Sequence, residues 1–104
     1  MRLLLILLSF LTIPIINAQA LDAIIAPLAS KSLLLDITEI NQAKLIAVGE
    51  RGHILLSTDG IQWQQAQVPV QVTLTAVFFV DQDNGWAVGH DATILATKDG
   101  GISW

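Results

Sequence analysis

The chain has 104 residues, with nine acidic and five basic side chains, a net charge of −4 and no cysteine. This balance gives no electrostatic support for binding nucleic acid. The absence of Cys excludes disulfides and attachment of a lipid to cysteine, although export remains open because disulfides are optional outside the cytosol. The first twenty residues read as a secretory signal. Arg2 supplies a positive start, and residues 3 to 16 are apolar apart from Ser9, Thr12 and Pro14. Asn17-Ala18-Gln19-Ala20 then supplies a small-x-small cleavage pattern, with cleavage expected after Ala20. The alternative is an uncleaved anchor. Its apolar stretch covers 14 residues, short of the ~20 that span a bilayer.

Beyond Ala20 only Lys31, Lys44, Arg51 and Lys98 are basic. Residues 21 to 32 contain Pro27, show no clear period and are expected to form an extended lead-in. The rest divides into a unit at 33 to 69 and an incomplete one at 70 to 104. Leu33 to Thr38 is predicted as a strand, with Leu33, Leu35 and Ile37 on one side. Asn41-Gln42 marks a turn, and strands at 45 to 48 and 53 to 57 follow around the tight turn Arg51-Gly52. Asp59-Gly60 is a hairpin signal, and 61 to 66 is expected to form the fourth strand. Thr73 to Val80 begins the second unit, with Leu74, Ala76, Phe78 and Val80 alternating against Thr73, Thr75, Val77 and Phe79. Strands at 86 to 88 and 93 to 97 follow, and 101 to 104 begins a fourth. No stretch beyond the signal has a helical period.

The two units repeat each other. Ala47-Val48-Gly49 maps on Ala87-Val88-Gly89, Ile54-Leu55 on Ile94-Leu95, and Asp59-Gly60 on Asp99-Gly100, each 40 residues apart. Trp63 maps on Trp104 at 41, because Gly101 is an extra residue. A period of about 40 residues made of short strands is the size of one four-stranded propeller blade. The expected fold class is all-β, a β-propeller fragment of about two four-stranded antiparallel blades, the second incomplete. A closed propeller needs about four blades or more. The chain is therefore expected to be the N-terminal part of a longer propeller or a truncated reading frame, the alternative being a small two-sheet protein. Two blades alone leave apolar faces and strand edges uncovered, so self-association or poor solubility is expected, with 33 to 37 and 74 to 80 among the exposed runs.

The Asp-Gly turns carry a motif. Ser57-Thr58-Asp59-Gly60 with Trp63, and Thr97-Lys98-Asp99-Gly100-Gly101 with Ser103-Trp104, resemble the Asp box of BNR repeats. The first copy is one residue short and has Gln62 where the motif has a hydroxyl. The Asp carboxylate is suited to accept backbone N–H bonds across the turn, Gly to left-handed backbone, and Trp to packing. Ser57, Asp59, Gly60, Trp63, Thr97, Asp99, Gly100, Gly101 and Trp104 are thus assigned structural roles. Arg51, on an exposed turn, is a candidate partner contact, with plain solvation as the alternative.

LLLDI, AVGERGHILLSTDG, LTAVFFVD, GWAVGH and ILATKDGG together resemble the photosystem II stability/assembly factor family over about residues 31 to 104. The resemblance implies a seven-bladed type of propeller outside the cytoplasm, which in photosynthetic members is an assembly chaperone for photosystem II subunits. It implies a non-catalytic scaffold for a membrane protein complex, in the periplasm or the thylakoid lumen, with no cofactor. The alternatives are a generic periplasmic binding propeller in a non-photosynthetic bacterium and a sialidase-like glycosidase, since sialidases also carry Asp boxes. A sialidase-like site needs several arginines and a Tyr. Beyond the signal there is one Arg, and the chain has no Tyr. Asp36, Asp81, Asp83 and Asp91 are carboxylate candidates, but three sit in turns where Asp is common. His53 and His90 lack the clustered partners of a metal site, and Trp86 reads as packing. No catalytic, cofactor-binding or metal-binding residue is assigned.

Overall fold

The computed structural model describes residues 21–104; the predicted signal and its cleavage point lie outside the described residues. Seven strands form two antiparallel meanders. In the first sheet β1 (Leu34–Glu39), β2 (Leu45–Gly49), β3 (Ile54–Ser57) and β4 (Gln64–Gln65) lie in chain order. In the second, β5 (Leu74–Phe79), β6 (Gly85–Gly89) and β7 (Thr93–Thr97) repeat the first three. The chain is all-β, a partial β-propeller of two blades. Where the second sheet's fourth strand is expected, Ser103 makes an isolated parallel bridge to Gln67 and joins the two units. The fourth strand of the first sheet is shorter than the predicted 61 to 66. Ile61 and Gln62 donate their N–H groups to Asp59 and are withdrawn from the ladder.

Each sheet opens with a bulge, and the bulge corrects the predicted alternation. Leu34 pairs with Gly49 but Asp36 pairs with Val48, so Leu35 is the extra residue. Thr75 is the extra residue in the second sheet, between the pairs Leu74–Gly89 and Ala76–Val88. An inserted residue flips the facing of everything before it. Leu34, not Leu33 and Leu35, therefore shares a face with Ile37. Likewise Leu74 joins Val77 and Phe79 rather than Ala76 and Phe78. Gly49 and Gly89 let the bulge close. A Cβ on either would run into the carbonyl oxygen of Leu33 or Thr73. Those carbonyls instead accept the N–H of Glu50 and of His90, each at 3.0 Å.

One face of the first sheet packs on one face of the second. Ile46, Val48 and Ile54 meet Leu74, Val77, Ala87 and Leu95 in a shared buried core, with Leu56, Phe79 and Trp104 at its margin. Removing this apolar surface from water is the main driving force joining the sheets. The opposite face of the first sheet carries a smaller cluster of Ala47, Leu55 and Ala29, flanked by Leu34 and Trp63. The opposite face of the second sheet has no cover among the described residues. Phe78 is 64% exposed and Ile94 is 72% exposed there.

The lead-in departs from the extended run predicted for 21 to 32. Ala29–Lys31 is a turn of 3-10 helix, closed by Ser32, whose N–H and hydroxyl both donate to the Ala29 carbonyl. Upstream, the segment is strapped to the first unit. Ala23 N–H donates to the Val68 carbonyl at 2.8 Å, and the Gln65 amide both accepts from Ala26 N–H and donates to the Ile24 carbonyl. Gln71 donates to the Asp22 carbonyl.

Candidate functional site

Two kinds of place can carry function here, the Asp-Gly turns and the β2–β3 corner that presents Arg51. At the first turn Ser57 caps the chain reversal, accepting from Gly60 N–H at 2.8 Å. Asp59 Oδ1 accepts from the N–H groups of Ile61 at 2.9 Å and Gln62 at 2.8 Å. The second turn has the same wiring with one more residue. Thr97 Oγ1 accepts from Gly101 N–H at 2.9 Å and donates to Asp99 Oδ1 at 2.8 Å. Ser103 donates to Asp99 with both its N–H and its hydroxyl. Trp104 Nε1–H donates to the Gly101 carbonyl at 3.0 Å, and its ring meets Phe79 edge-on at 5.9 Å between centroids. Trp63, by contrast, packs on the outer cluster of the first sheet.

These donors set the carboxylate chemistry. Ser103, through its hydroxyl and its N–H, and then Thr97 hold the Asp99 carboxyl at about 2. Asp59 is lowered by the N–H groups of Gln62 and Ile61 and by the Ser57 hydroxyl. A carboxylate so lowered and so fully occupied is a poor proton acceptor at neutral pH. Gly60, Gly100 and Gly101 take positive φ of 73°, 72° and 91°. Gly101 is buried, and the place its Cβ would occupy is filled by the end of the Ile46 side chain from the first sheet. The extra residue of the second turn thus serves the contact between the sheets.

The β2–β3 corner turns through Glu50, Arg51 and Gly52, with Gly49 N–H donating to the His53 carbonyl at 3.0 Å. Arg51 has φ 56° and Gly52 has φ 72°, and His53 N–H donates to the Glu50 carbonyl at 2.9 Å. Two positive φ values in succession are the mark of a type I′ turn. The corresponding Asp91 and Ala92 have φ 56° and 54°, with Thr93 N–H donating to the His90 carbonyl. The turn throws the exposed Arg51 side chain onto the rim of a groove of about 340 Å³ lined by Ile24, Ala26, His53 and Gln71.

His53 is buried beneath that rim. Burial pushes its imidazole below the ordinary 6.5, with Glu50 opposing and Arg51 assisting. Its Nδ1 lies 2.9 Å from Ser32 Oγ. The single hydroxyl proton of Ser32 is given to the Ala29 carbonyl at 2.5 Å, so the ring proton belongs on Nδ1 and points at Ser32. That polarity is the reverse of a base activating a serine. His90 lines a different groove, with Val70, Val72 and Asp91. Among the described residues no group of three or more His, Cys, Asp or Glu side chains comes together as a metal site. Trp86 is 39% exposed on the open face of the second sheet, not buried packing as its sequence context suggested.

Sequence reasoning missed the role of Asp36. Its Oδ1 accepts from Ile37 N–H and its Oδ2 from Val77 N–H, both at 2.9 Å, so one carboxylate ties β1 to β5 just beyond the bulge of each. The available signal was a single charge inside the apolar run Leu33-Leu34-Leu35-Asp36-Ile37.

Residues 57–104 match the family described as Photosynthesis system II assembly factor YCF48. The chain is 40% identical over 42 residues to Photosystem II assembly protein Ycf48 of Thermosynechococcus vestitus (strain NIES-2133 / IAM M-273 / BP-1), covering 40% of this chain and 12% of that protein. It is 41% identical over 46 residues to the protein of the same name from Synechococcus sp. (strain JA-3-3Ab), covering 42% of this chain and 14% of that one. The chain thus spans a small part of the curated relatives it matches. No solved structure matches it.

Proposed function

We propose that this photosystem II assembly factor-like chain belongs to an exported, non-catalytic propeller that holds subunits of a membrane protein complex during assembly. In a photosynthetic host those subunits are photosystem II proteins, and the compartment is the periplasm or thylakoid lumen. The observation that carries the reading is the family match over residues 57–104, which takes in both Asp-Gly turns and the whole second sheet. In this reading residues 1–20 are the export signal, cleaved after Ala20. The Asp-Gly turns are Asp boxes with a structural role only. Their carboxylates are already taken by turn N–H and hydroxyl groups, which supports a scaffold over a hydrolase. Arg51 is the contact to the partner. A turn-borne guanidinium suits a carboxylate on another protein.

The test is affinity purification of the tagged chain from the membranes of a photosynthetic host. Recovery of newly made photosystem II subunits is expected, with a clear loss on Arg51→Glu and little change on Lys31→Glu. Recovery of no membrane subunit, or of the same unrelated protein with both variants, would refute the proposal.

A further inference from the structure

The groove beside Arg51 has a polar floor with an unused hydrogen-bonding atom. It lies at the ends of β2 and β3 and not on a sheet face: the lead-in supplies Ile24 and Ala26, the corner Arg51 and His53, and the link to β5 Gln71. The His53 ring is 4% exposed there. Its Nδ1 proton is committed to Ser32, whose own proton goes to the Ala29 carbonyl. Nε2 is therefore the lone-pair nitrogen of the neutral ring. It has no hydrogen-bond partner among the described residues, yet no buried polar side-chain atom among them is left unsatisfied, so Nε2 is open to the groove that the ring lines. On the rim, Arg51 holds left-handed backbone at φ 56°, so its guanidinium is kept at this corner against a conformational cost.

These two groups answer a carboxylate differently. The guanidinium presents N–H donors at every working pH. The neutral His53 ring presents a lone pair, which repels a carboxylate oxygen; a second proton, on Nε2, makes it a donor and a cation. The charged groups around the ring are Glu50 and Arg51 on its own corner and Asp22 and Lys31 on the lead-in; β2, β3 and the link from 66 to 73 carry none. Glu50 is engaged with Leu33 N–H at 3.1 Å. In the free chain burial holds the ring below 6.5, with Glu50 opposing and Arg51 assisting, so it is mostly neutral at pH 7. A carboxylate in the groove reverses that balance, because it sets a negative charge and an acceptor beside Nε2. Taking Arg51 as the partner contact, the reading on which this rests, we infer that the groove binds a carboxylate of the partner protein between Arg51 and His53, and that His53 takes up a proton on Nε2 as it binds. Docking is then favoured by acid.

The chain has two histidines, so imidazole NMR gives two titrations, and His90→Gln, at an exposed position, assigns the remaining one to His53. Both are followed on the full chain with sodium isobutyrate, whose carboxylate and small apolar body suit the groove, and with isobutyramide or sodium chloride as controls. Isobutyrate is expected to raise the His53 midpoint and to leave that of His90. Its affinity should grow as pH falls, approaching about tenfold per pH unit for one proton taken up. Arg51→Gln should remove both effects, and Lys31→Gln should leave them. Binding that is lost on Arg51→Gln but flat with pH would overturn the proton uptake and leave Arg51 as the contact. No binding of isobutyrate at any pH, an equal rise with isobutyramide or chloride, or an equal shift of His90 would each overturn the inference. The proposed function is judged separately by the affinity purification, where recovery of membrane subunits that is lost on Arg51→Glu supports it whatever the NMR result.

Discussion

Ala92 and Arg51 hold left-handed backbone without being glycine, at φ 54° and 56°. Left-handed geometry costs an L-residue about 1–2 kcal/mol, and glycine returns about 0.5–1 kcal/mol of that as unfolded-state entropy. Ala92→Gly is therefore expected to stabilise the protein by about 0.5 kcal/mol, seen as a higher midpoint in urea. Gly52→Ala runs the other way, since its φ is 72° and its Cβ would strike the Val70 carbonyl; a loss of about 1–3 kcal/mol is expected in the same titration. The titratable residues give two separate pH windows. Asp99 falls from its ordinary 3.8 to about 2 on folding, so its contribution is whole above pH 3.8 and is lost as pH drops towards 2. His53 is held below 6.5, so folding disfavours its proton and stability declines as pH falls below 6.5. Unfolding curves across pH should show both slopes, the acid one absent in Asp99→Asn and the milder one absent in His53→Gln. Persistence of either slope in its variant would contradict the assignment.

Among the elements, β1 and β5 matter most because their bulges decide which side chains meet. Asp36 accepts the N–H groups of Ile37 on its own strand and of Val77 on β5, each strand lying at the edge of its sheet. Asp36→Ala leaves the buried Val77 N–H unmet and should cost about 2 kcal/mol, within the 1–3 kcal/mol of an unsatisfied buried group. Ile37 N–H lies nearer water and can be hydrated. A double-mutant cycle with Ile37→Ala should consequently show little coupling, whereas one with Leu74→Ala, beside the second bulge, should show much. Asp36→Ala with an unchanged urea midpoint would mean that the carboxylate is dispensable. The lead-in is an element by attachment rather than by period. Its ties run through Gln65 and Gln71 and through the Val68 carbonyl.

At the scale of the whole molecule, the sheets hold together through a single apolar interface. Leu74 is 0% exposed at its centre. Leu74→Ala should cost about 2–5 kcal/mol, while Phe78→Ala, on the open face, should cost far less in dilute solution. Calorimetry on the two variants distinguishes them, and similar losses would show that the open face is covered by something else.

The repeat, the all-β class, the order of strands and the Asp-Gly turns were legible in the sequence because each is a local property. Strand period, turn chemistry and the 40-residue offset are written in neighbouring residues. The facing of Leu34 and Leu74 was not, because a bulge is set by the register with a partner strand, through Gly49 and Gly89. Trp86 could not be placed for the same reason. It occupies the position of the buried Ile46, yet only the stacking of one sheet on the other decides which copy of that position meets water. The lead-in's attachment and the double role of Asp36 depend on residues about 40 apart in the chain, such as Asp36 and Val77. Those contacts exist only once two sheets that repeat in sequence have packed in one direction and made their equivalent residues inequivalent in space.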